Sequence, residues 1–279
     1  MGIFDRNLDG KTKVDMAIDR IRSFCKGKKV LVAFSGGKDS QCCYHLAKAA
    51  GIDFSAQYSV TRFEPPELIS FIRDNYKDVV FRRAYTRSLV DEVAYRGLPN
   101  RWARWCCAAK HEKTDGFDIA VIGIRAEESA RRAANWRMFG QKKDRTYYVC
   151  PIIDWTTSDV WDYLAYVKAP HCKLYDEGYR RIGCVCCPLA PTKMAKDAAR
   201  WPKVANALKL GNAKFYAACE AKKVTKSGKP WRILEHGSAD VAFDYWLNTG
   251  CSVTTKDHQP TDEPCLFAGT GFSESDNAK

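Results

Sequence analysis

Apolar and β-branched residues gather along the chain in short runs at Val30–Phe34, Phe54–Val60, Val79–Ala84, Ile119–Ile124 and Tyr147–Ile153. Each run has the length of one buried strand. Helix-like stretches separate most of them: Asp39–Ala50, with Tyr44, Leu46, Ala47 and Ala50 as its apolar positions, then Pro66–Asn75, Ser88–Tyr95 and a cysteine-bearing piece near Cys107–Glu112. This alternation predicts an α/β fold, a mostly parallel twisted sheet with helices on both faces and ligands at the carboxyl ends of its strands. Beyond Asp154, Thr156 and Asp159 stand in capping-box spacing at the start of another helix. After Pro188 the pattern turns helical and basic, with no further strand expected.

Composition adds three constraints. With 279 residues, 46% of them hydrophobic, the chain can fill a large α/β core. Its first residues lack the apolar run of a signal peptide, position 6 is Arg6 where a myristoylation signal has Ser or Thr, and no stretch approaches a membrane span, so a cytoplasmic protein is expected. Thirteen cysteines in a reducing compartment then read as ligands, catalysts or buried small residues rather than as a disulfide framework.

The net charge of +12 favours anionic partners. It is concentrated between Lys193 and Arg232, where 11 basic residues face only Asp197 and Glu220. Trp201, Phe215, Tyr216 and Trp231 interleave this segment, a composition suited to tracking phosphates and stacking on bases. A solvated face of an amphipathic helical subdomain is the plainer reading.

The densest chemistry lies between the first strand and the first predicted helix, in Ser35-Gly36-Gly37-Lys38-Asp39-Ser40. A Walker-type P-loop is excluded, because with Gly37-Lys38 as its "GK" the first glycine would fall on Val32. The chemistry still suits phosphate. Glycines let backbone N–H groups turn toward phosphate oxygens, the helix offers its positive end, and Lys38 adds a full charge. Asp39 is a candidate ligand for Mg2+, and the Ser35 and Ser40 hydroxyls can donate to phosphate. The hexapeptide resembles the motif of the PP-loop ATP pyrophosphatase superfamily, whose members cleave ATP between the α- and β-phosphates. That resemblance implies an adenine nucleotide α-hydrolase-like fold and makes ATP the expected ligand.

A second motif, "VIGIRAEESARRAANW", places Arg125, Glu127, Glu128, Arg131 and Arg132 after a strand, where they would meet a bound nucleotide. Paired charges on a solvated helix start are the alternative. Together with "CPIIDWTTSDVWDYL" and the series Tyr175, Gly178, Tyr179, Arg181, Gly183, Cys184, Cys187 and Pro188, it is similar to the phosphoadenosine-phosphosulfate reductase family of the same superfamily.

Cys106-Cys107 and Cys184-x-x-Cys187 form a pair of pairs, and four thiolates are what an iron–sulfur cluster or a structural zinc needs. Adjacent Cys106 and Cys107 argue against zinc, whose paired cysteines are usually two to four residues apart. The resemblance extends to the members of the family that carry a four-iron four-sulfur cluster (4Fe-4S) on such pairs. Cys186 leaves the assignment of the second pair open by one position. Arg104, Lys110 and Arg181 are candidates to offset the charge of a thiolate-bound cluster, and Cys42-Cys43 read as packing residues.

These readings divide the chain into a PP-loop nucleotide-binding domain with the cysteine cluster (1–190), a basic helical subdomain (191–250) and a mobile tail (251–279). Two activities compete. One is ATP-dependent, pyrophosphate-releasing sulfur transfer to DNA or tRNA, with Lys38, Asp39 and Arg125 as catalytic residues and a cysteine desulfurase as a possible donor. The other is reduction of an adenylyl sulfate with a thioredoxin-type reductant. The intact Lys38-Asp39 pair, suited to a full triphosphate with Mg2+, favours the first, and so does the tail, which offers Cys265 but no histidine after it, unlike the terminal segment of the reductases. A nucleotide-binding subunit without turnover is a third reading.

Overall fold

The apolar run at Val30 becomes the central strand of a six-stranded sheet in the computed structural model, which describes residues 2–111, 116–142, 145–225 and 227–252. In chain order the elements begin with α1 (Lys13–Cys25), β1 (Val30–Ala33), α2 (Lys38–Ala50), β2 (Phe54–Val60), α3 (Pro66–Asn75), β3 (Val80–Arg83), α4 (Leu89–Arg96) and α5 (Trp105–His111). They continue with β4 (Ile119–Val121), α6 (Ala130–Asn135), β5 (Phe139–Gln141), β6 (Tyr147–Val149), α7 (Thr157–Tyr166), α8 (Pro191–Arg200), α9 (Pro202–Lys222) and α10 (Ala239–Thr249). The sheet order is β3-β2-β1-β4-β6-β5, parallel except for β5. Val30, Val32, Ile119, Val121 and Val149 are buried on its central strands, as parallel strands covered by other elements require.

The strand order reverses at β1, with β2 on one side and β4 on the other. A doubly wound sheet opens a crevice at such a point, outside the carboxyl ends of the two diverging strands. The phosphate loop follows β1 and Arg125 follows β4, so both candidate segments reach that crevice.

Two predicted strands are shorter than their apolar runs. The run Ile119–Ile124 pairs only as far as Val121, because the chain then passes over the start of α2. A Cβ on Gly123 would lie 2.8 Å from the Asp39 carbonyl, so this approach requires glycine. The run Tyr147–Ile153 leaves the sheet after Val149 in tight turns closed by Ile153 N to Cys150 O (3.3 Å) and Trp155 N to Ile152 O (3.1 Å). Helix α1 and strand β5 are additions to the predicted elements.

Among the described residues beyond Pro188 the regular elements are helical apart from a bridge between Val224 and Pro230. Met194, Trp201, Leu208, Phe243 and Trp246 join the main core, while Tyr216, Cys219, Ile233 and Ala242 make a small second one. Among the described residues no helix is long and apolar enough to cross a membrane. The segment 253–279, with Cys265 and most of the expected tail, lies outside the described residues, as does Lys226.

Candidate nucleotide site and cysteine segments

The loop after β1 is shaped by its own backbone. Gly36 has φ +72°, and a Cβ there would sit 2.6 Å from Ile72 Cδ1 and 2.8 Å from Leu68 Cδ1, so the turn demands glycine twice over. Ser40 Oγ donates to Gly37 O (2.8 Å) and accepts from Ser35 N (3.1 Å), tying the two ends of the loop together. No side chain caps α2 at Gly37. The positive end of a 13-residue helix therefore faces the crevice, an arrangement suited to an anion. The Lys38 amide donates to the Tyr175 hydroxyl at 3.0 Å, so Tyr175 stands against the loop.

Side-chain charges converge behind this opening. Asp39 takes Lys38 Nζ at 2.9 Å on Oδ2 and Arg125 Nε at 2.6 Å on Oδ1. Burial pushes the Asp39 carboxyl up, but Lys38 and Arg125 outweigh it and hold it below its usual range. Arg125 is 2% exposed and also reaches Glu127, Thr157 Oγ1 (3.2 Å) and Trp155 O (3.3 Å). Glu128 accepts from Arg132, which is buried, whereas Arg131 is exposed, and neither arginine lines the cleft. The phase of α6 puts Arg132 one turn after Glu128, so Arg132 is the one that meets that carboxylate.

The cleft itself has a volume of about 960 Å3. Lys38, Arg125, Glu127 and Glu128 line it together with Trp161, His171, Tyr175, Tyr179, Arg180 and Arg181. An open cavity lined by cations and aromatic rings can accept a phosphorylated, planar ligand. This second group could be anticipated only partly, because Tyr175, Tyr179 and Arg181 belong to the family motif while Trp161, His171 and Arg180 carry no local signal. For Mg2+ the fit is poor in one respect. Both Asp39 oxygens are engaged by cations, and Glu127 and Glu128 have arginine partners of their own. A magnesium ion would enter with the phosphates of its nucleotide rather than wait in a protein cage.

The two cysteine-bearing segments face each other. Lys110, on the helix of Cys106 and Cys107, donates to Cys184 Sγ at 3.0 Å and pairs with Glu64 at 3.3 Å. Val185 N donates to Phe63 O, fastening the second segment to the chain beyond β2 at 2.6 Å. Cys186 points away: φ is +53°, its amide donates to Asp197 (3.2 Å), its thiol lies 3.6 Å from Met194 O, and burial pushes that thiol up to about 12. Cys184, Cys187 and Cys107 are half-buried, Cys106 is buried, and Cys42 and Cys43 are core residues. Among the described residues, no three cysteine, histidine or acidic groups converge as a metal-binding set. The donor chemistry suits a cluster, and the facing segments place the pairs near one another, but these thiols are not assembled around a common centre.

The basic segment differs from its expected role. Trp201 and Tyr216 are each 6% exposed, and Phe215 packs edge-on against Trp231 at 5.9 Å. The four aromatics serve as packing, while Leu210 and Val224 stay exposed beside the charges of the segment. Several of those are neutralised: Arg200 by Glu67 and Glu177, Lys209 by Asp240, and Lys214 by Asp91.

Residues 29–190 match the profile of the phosphoadenosine phosphosulfate reductase domain, more than half of the chain, and the chain belongs to that family. It is 33% identical over 196 residues to an uncharacterized protein of Methanocaldococcus jannaschii, covering 63% of this chain and 40% of that one. With the adenosine 5'-phosphosulfate reductase of Shouchella clausii it shares 26% over 175 residues, 59% of this chain and 73% of the other. The chain spans less than half the length of two Methanocaldococcus jannaschii relatives, 40% and 45%. Among solved structures it is similar to the phosphoadenylyl-sulfate reductase of Candida auris in its phosphate complex (TM-score 0.43, 13% identity, 66% of this chain and 98% of that one). The FMN adenylyltransferase of Candida glabrata with FAD and inorganic pyrophosphate is another neighbour (TM-score 0.46, 16% identity, 62% and 64%).

Proposed function

We propose that this member of the phosphoadenosine phosphosulfate reductase domain family binds ATP in the cleft and couples its cleavage to sulfur transfer onto a nucleic acid. The observation that carries the reading is the convergence of Lys38 and Arg125 on Asp39 at the uncapped start of α2. When phosphate oxygens arrive, both cations can turn from the carboxylate to them, and the buried setting strengthens that attraction. An acceptor oxygen attacking the α-phosphorus forms a new O–P bond and releases pyrophosphate. Sulfur from a persulfide donor, such as a cysteine desulfurase loads, then displaces AMP from the activated acceptor, a second thiol attacks the donor sulfur of the new S–S bond to release the sulfurated acceptor, and a thioredoxin-type reductant reduces the disulfide left behind. Mixing ATP and nucleic acid with the protein should yield pyrophosphate and an adenylated acceptor, with AMP released once a persulfide donor is added, and Lys38→Ala should raise the barrier by about 2 to 4 kcal/mol. Release of ADP and phosphate would remove the assignment.

Reduction of an adenylyl sulfate to sulfite is the second reading, favoured by the likeness to an adenosine 5'-phosphosulfate reductase. The same assay decides it, because sulfite formed from adenylyl sulfate without ATP belongs to that reaction alone.

In either case Cys106, Cys107, Cys184 and Cys187 are the residues that would hold a four-iron four-sulfur cluster. Lys110 beside Cys184 supplies a positive charge where thiolate ligands bring negative charge. Protein purified without oxygen should contain about four irons per chain. Cys107→Ser should bleach it and Cys42→Ser should not, since Cys42 is fully buried beside α7. Colourless protein with stoichiometric zinc would overturn this assignment.

A further inference from the structure

Burial of Trp201 and Tyr216 leaves the lysine-rich helices with charges and no base-stacking surface. The exposed aromatics lie elsewhere. Arg87 and Arg96 stand exposed at the two ends of α4, and the chain exposes Tyr95 by 66% and Trp102 by 54%.

Both rings are held by built structure. Glu92, 2% exposed, pairs with Arg96 (3.0 Å) and Arg87 (3.6 Å). It thereby sets both guanidinium groups against the Tyr95 ring, 5.8 and 4.5 Å from its centre. Arg62, beyond β2, donates to the Arg87 carbonyl and extends the cationic surface toward the sheet.

The loop of Trp102 is pinned from the C-terminal helices. Trp246 Nε1 donates to Pro99 O at 2.6 Å, Arg101 N to Gly250 O at 3.2 Å, and Asn100 Nδ2 to Ser252 Oγ at 2.9 Å. Asn100 Oδ1 accepts from both Trp102 N (3.0 Å) and Ala103 N (2.8 Å), fixing the turn that presents the indole. A large apolar ring held at the surface by five such constraints is placed there by the fold and not left out of the core.

We infer that the Tyr95–Trp102 surface binds single-stranded nucleic acid, its rings stacking on unpaired bases and its arginines meeting the phosphates. This rests on the nucleic-acid acceptor reading above and names the strand state that the acceptor presents. Arginine beside an aromatic face serves both the base and the backbone of a single strand, whereas the bases of a duplex hide their faces. Continuity supports the placement. Trp102 precedes Cys106 by four residues, α5 reaches Cys184 through Lys110, and Arg181 lines the nucleotide cleft. A strand on this surface leads along the cysteine segments toward the activated nucleotide.

Fluorescence anisotropy of labelled single-stranded DNA and RNA, with the matching duplexes, tests the assignment on the full chain. Trp102→Ala and Tyr95→Ala should each weaken single-strand binding by about tenfold, Trp102→Phe should restore most of it, and duplex binding should change little. ATP binding retained in every variant reports that the fold is intact. Lys222→Gln with Lys223→Gln should weaken strand and duplex alike and flatten the salt dependence. If wild type binds single strands and both alanine variants bind them equally well, the stacking surface is refuted while the acceptor reading stands. Absence of binding by wild type at low salt refutes both. If Trp102→Ala instead lowers affinity for a thioredoxin-type protein and leaves nucleic acid untouched, the surface is a protein interface and the inference falls.

Discussion

The phosphate loop and the cysteine segments lie close to the same edge of the sheet, yet different forces hold them. The loop is one contiguous stretch whose shape comes from Gly36 at positive φ and from Ser35 and Ser40 bonding across it. The cysteine segments come from positions far apart in the chain and meet through Glu64, Lys110 and Cys184. Backbone geometry presents an anion site before any ligand arrives. A charge network sets two segments face to face but does not by itself draw four thiols to one point.

That difference predicts opposite profiles for two lysine substitutions. Removing Lys110 strips the cation from Glu64, whose side chain is 2% exposed. An uncompensated buried carboxylate costs about 3 to 5 kcal/mol, and Lys110→Met belongs at the low end because the lysine side chain is 26% exposed and Thr61 still donates to Glu64. Lys38→Met leaves Asp39 paired with Arg125, so its loss should fall on turnover and little on stability. Urea unfolding of the two variants measures this contrast. Equal midpoints would mean that the Glu64–Lys110 pair does not hold the cysteine segments.

The loop is vulnerable through its backbone instead. Gly36→Ala keeps every charge but drives a methyl group into Ile72 and Leu68 at a φ that disfavours side chains. Overpacking of this kind costs about 1 to 3 kcal/mol. The variant should also lose nucleotide affinity, read by titration calorimetry. Alanine at Gly237, also at positive φ but with nothing within 4 Å of its added methyl and away from the cleft, gives the control for strain without overpacking. If the two variants behave alike, packing against α3 does not shape the loop.

Legibility followed the same divide. Strand β2 and helix α3 end where their apolar patterns end, and the capping box at Thr156 opens α7. The alternation of the pattern is enough for the parallel sheet, and the phosphate motif together with the segments around Arg125 and from Tyr175 to Pro188 for the family. Helix α1 carries a legible signal, the Thr12–Asp15 capping box followed by Ala17, Ile21 and Cys25 at four-residue spacing. Strand β5 had almost none: three residues, one of them Gly140, paired antiparallel at the sheet edge. The choice of Arg132 over Arg131 depends on the phase of a six-residue helix, and the turning away of Cys186 on a single positive φ. Neither is written in residue type. The aromatic residues of the basic segment looked available because composition records no direction, and tertiary packing buried them.

The smallest effect is the one that separates the electrostatics of the loop from its geometry. Asp39 ionises more readily in the folded chain than its ordinary value near 3.8, because Lys38 and Arg125 overcome its burial. A depressed carboxyl contributes stability above its unfolded value, and that contribution disappears as pH falls through the folded one. Asp39→Asn should therefore be less stable than wild type at neutral pH. The difference should shrink below about pH 4 and close once the native carboxyl is protonated. The pairs formed by Lys13 with Asp159 and Arg20 with Asp154 remain in both proteins, so their own acid titrations cancel in the comparison. Unfolding midpoints of the two proteins from pH 7 downward give the test. A gap that stays constant to pH 3 would show that Asp39 acts through its shape and hydrogen bonds, and that the two cations are placed without its charge.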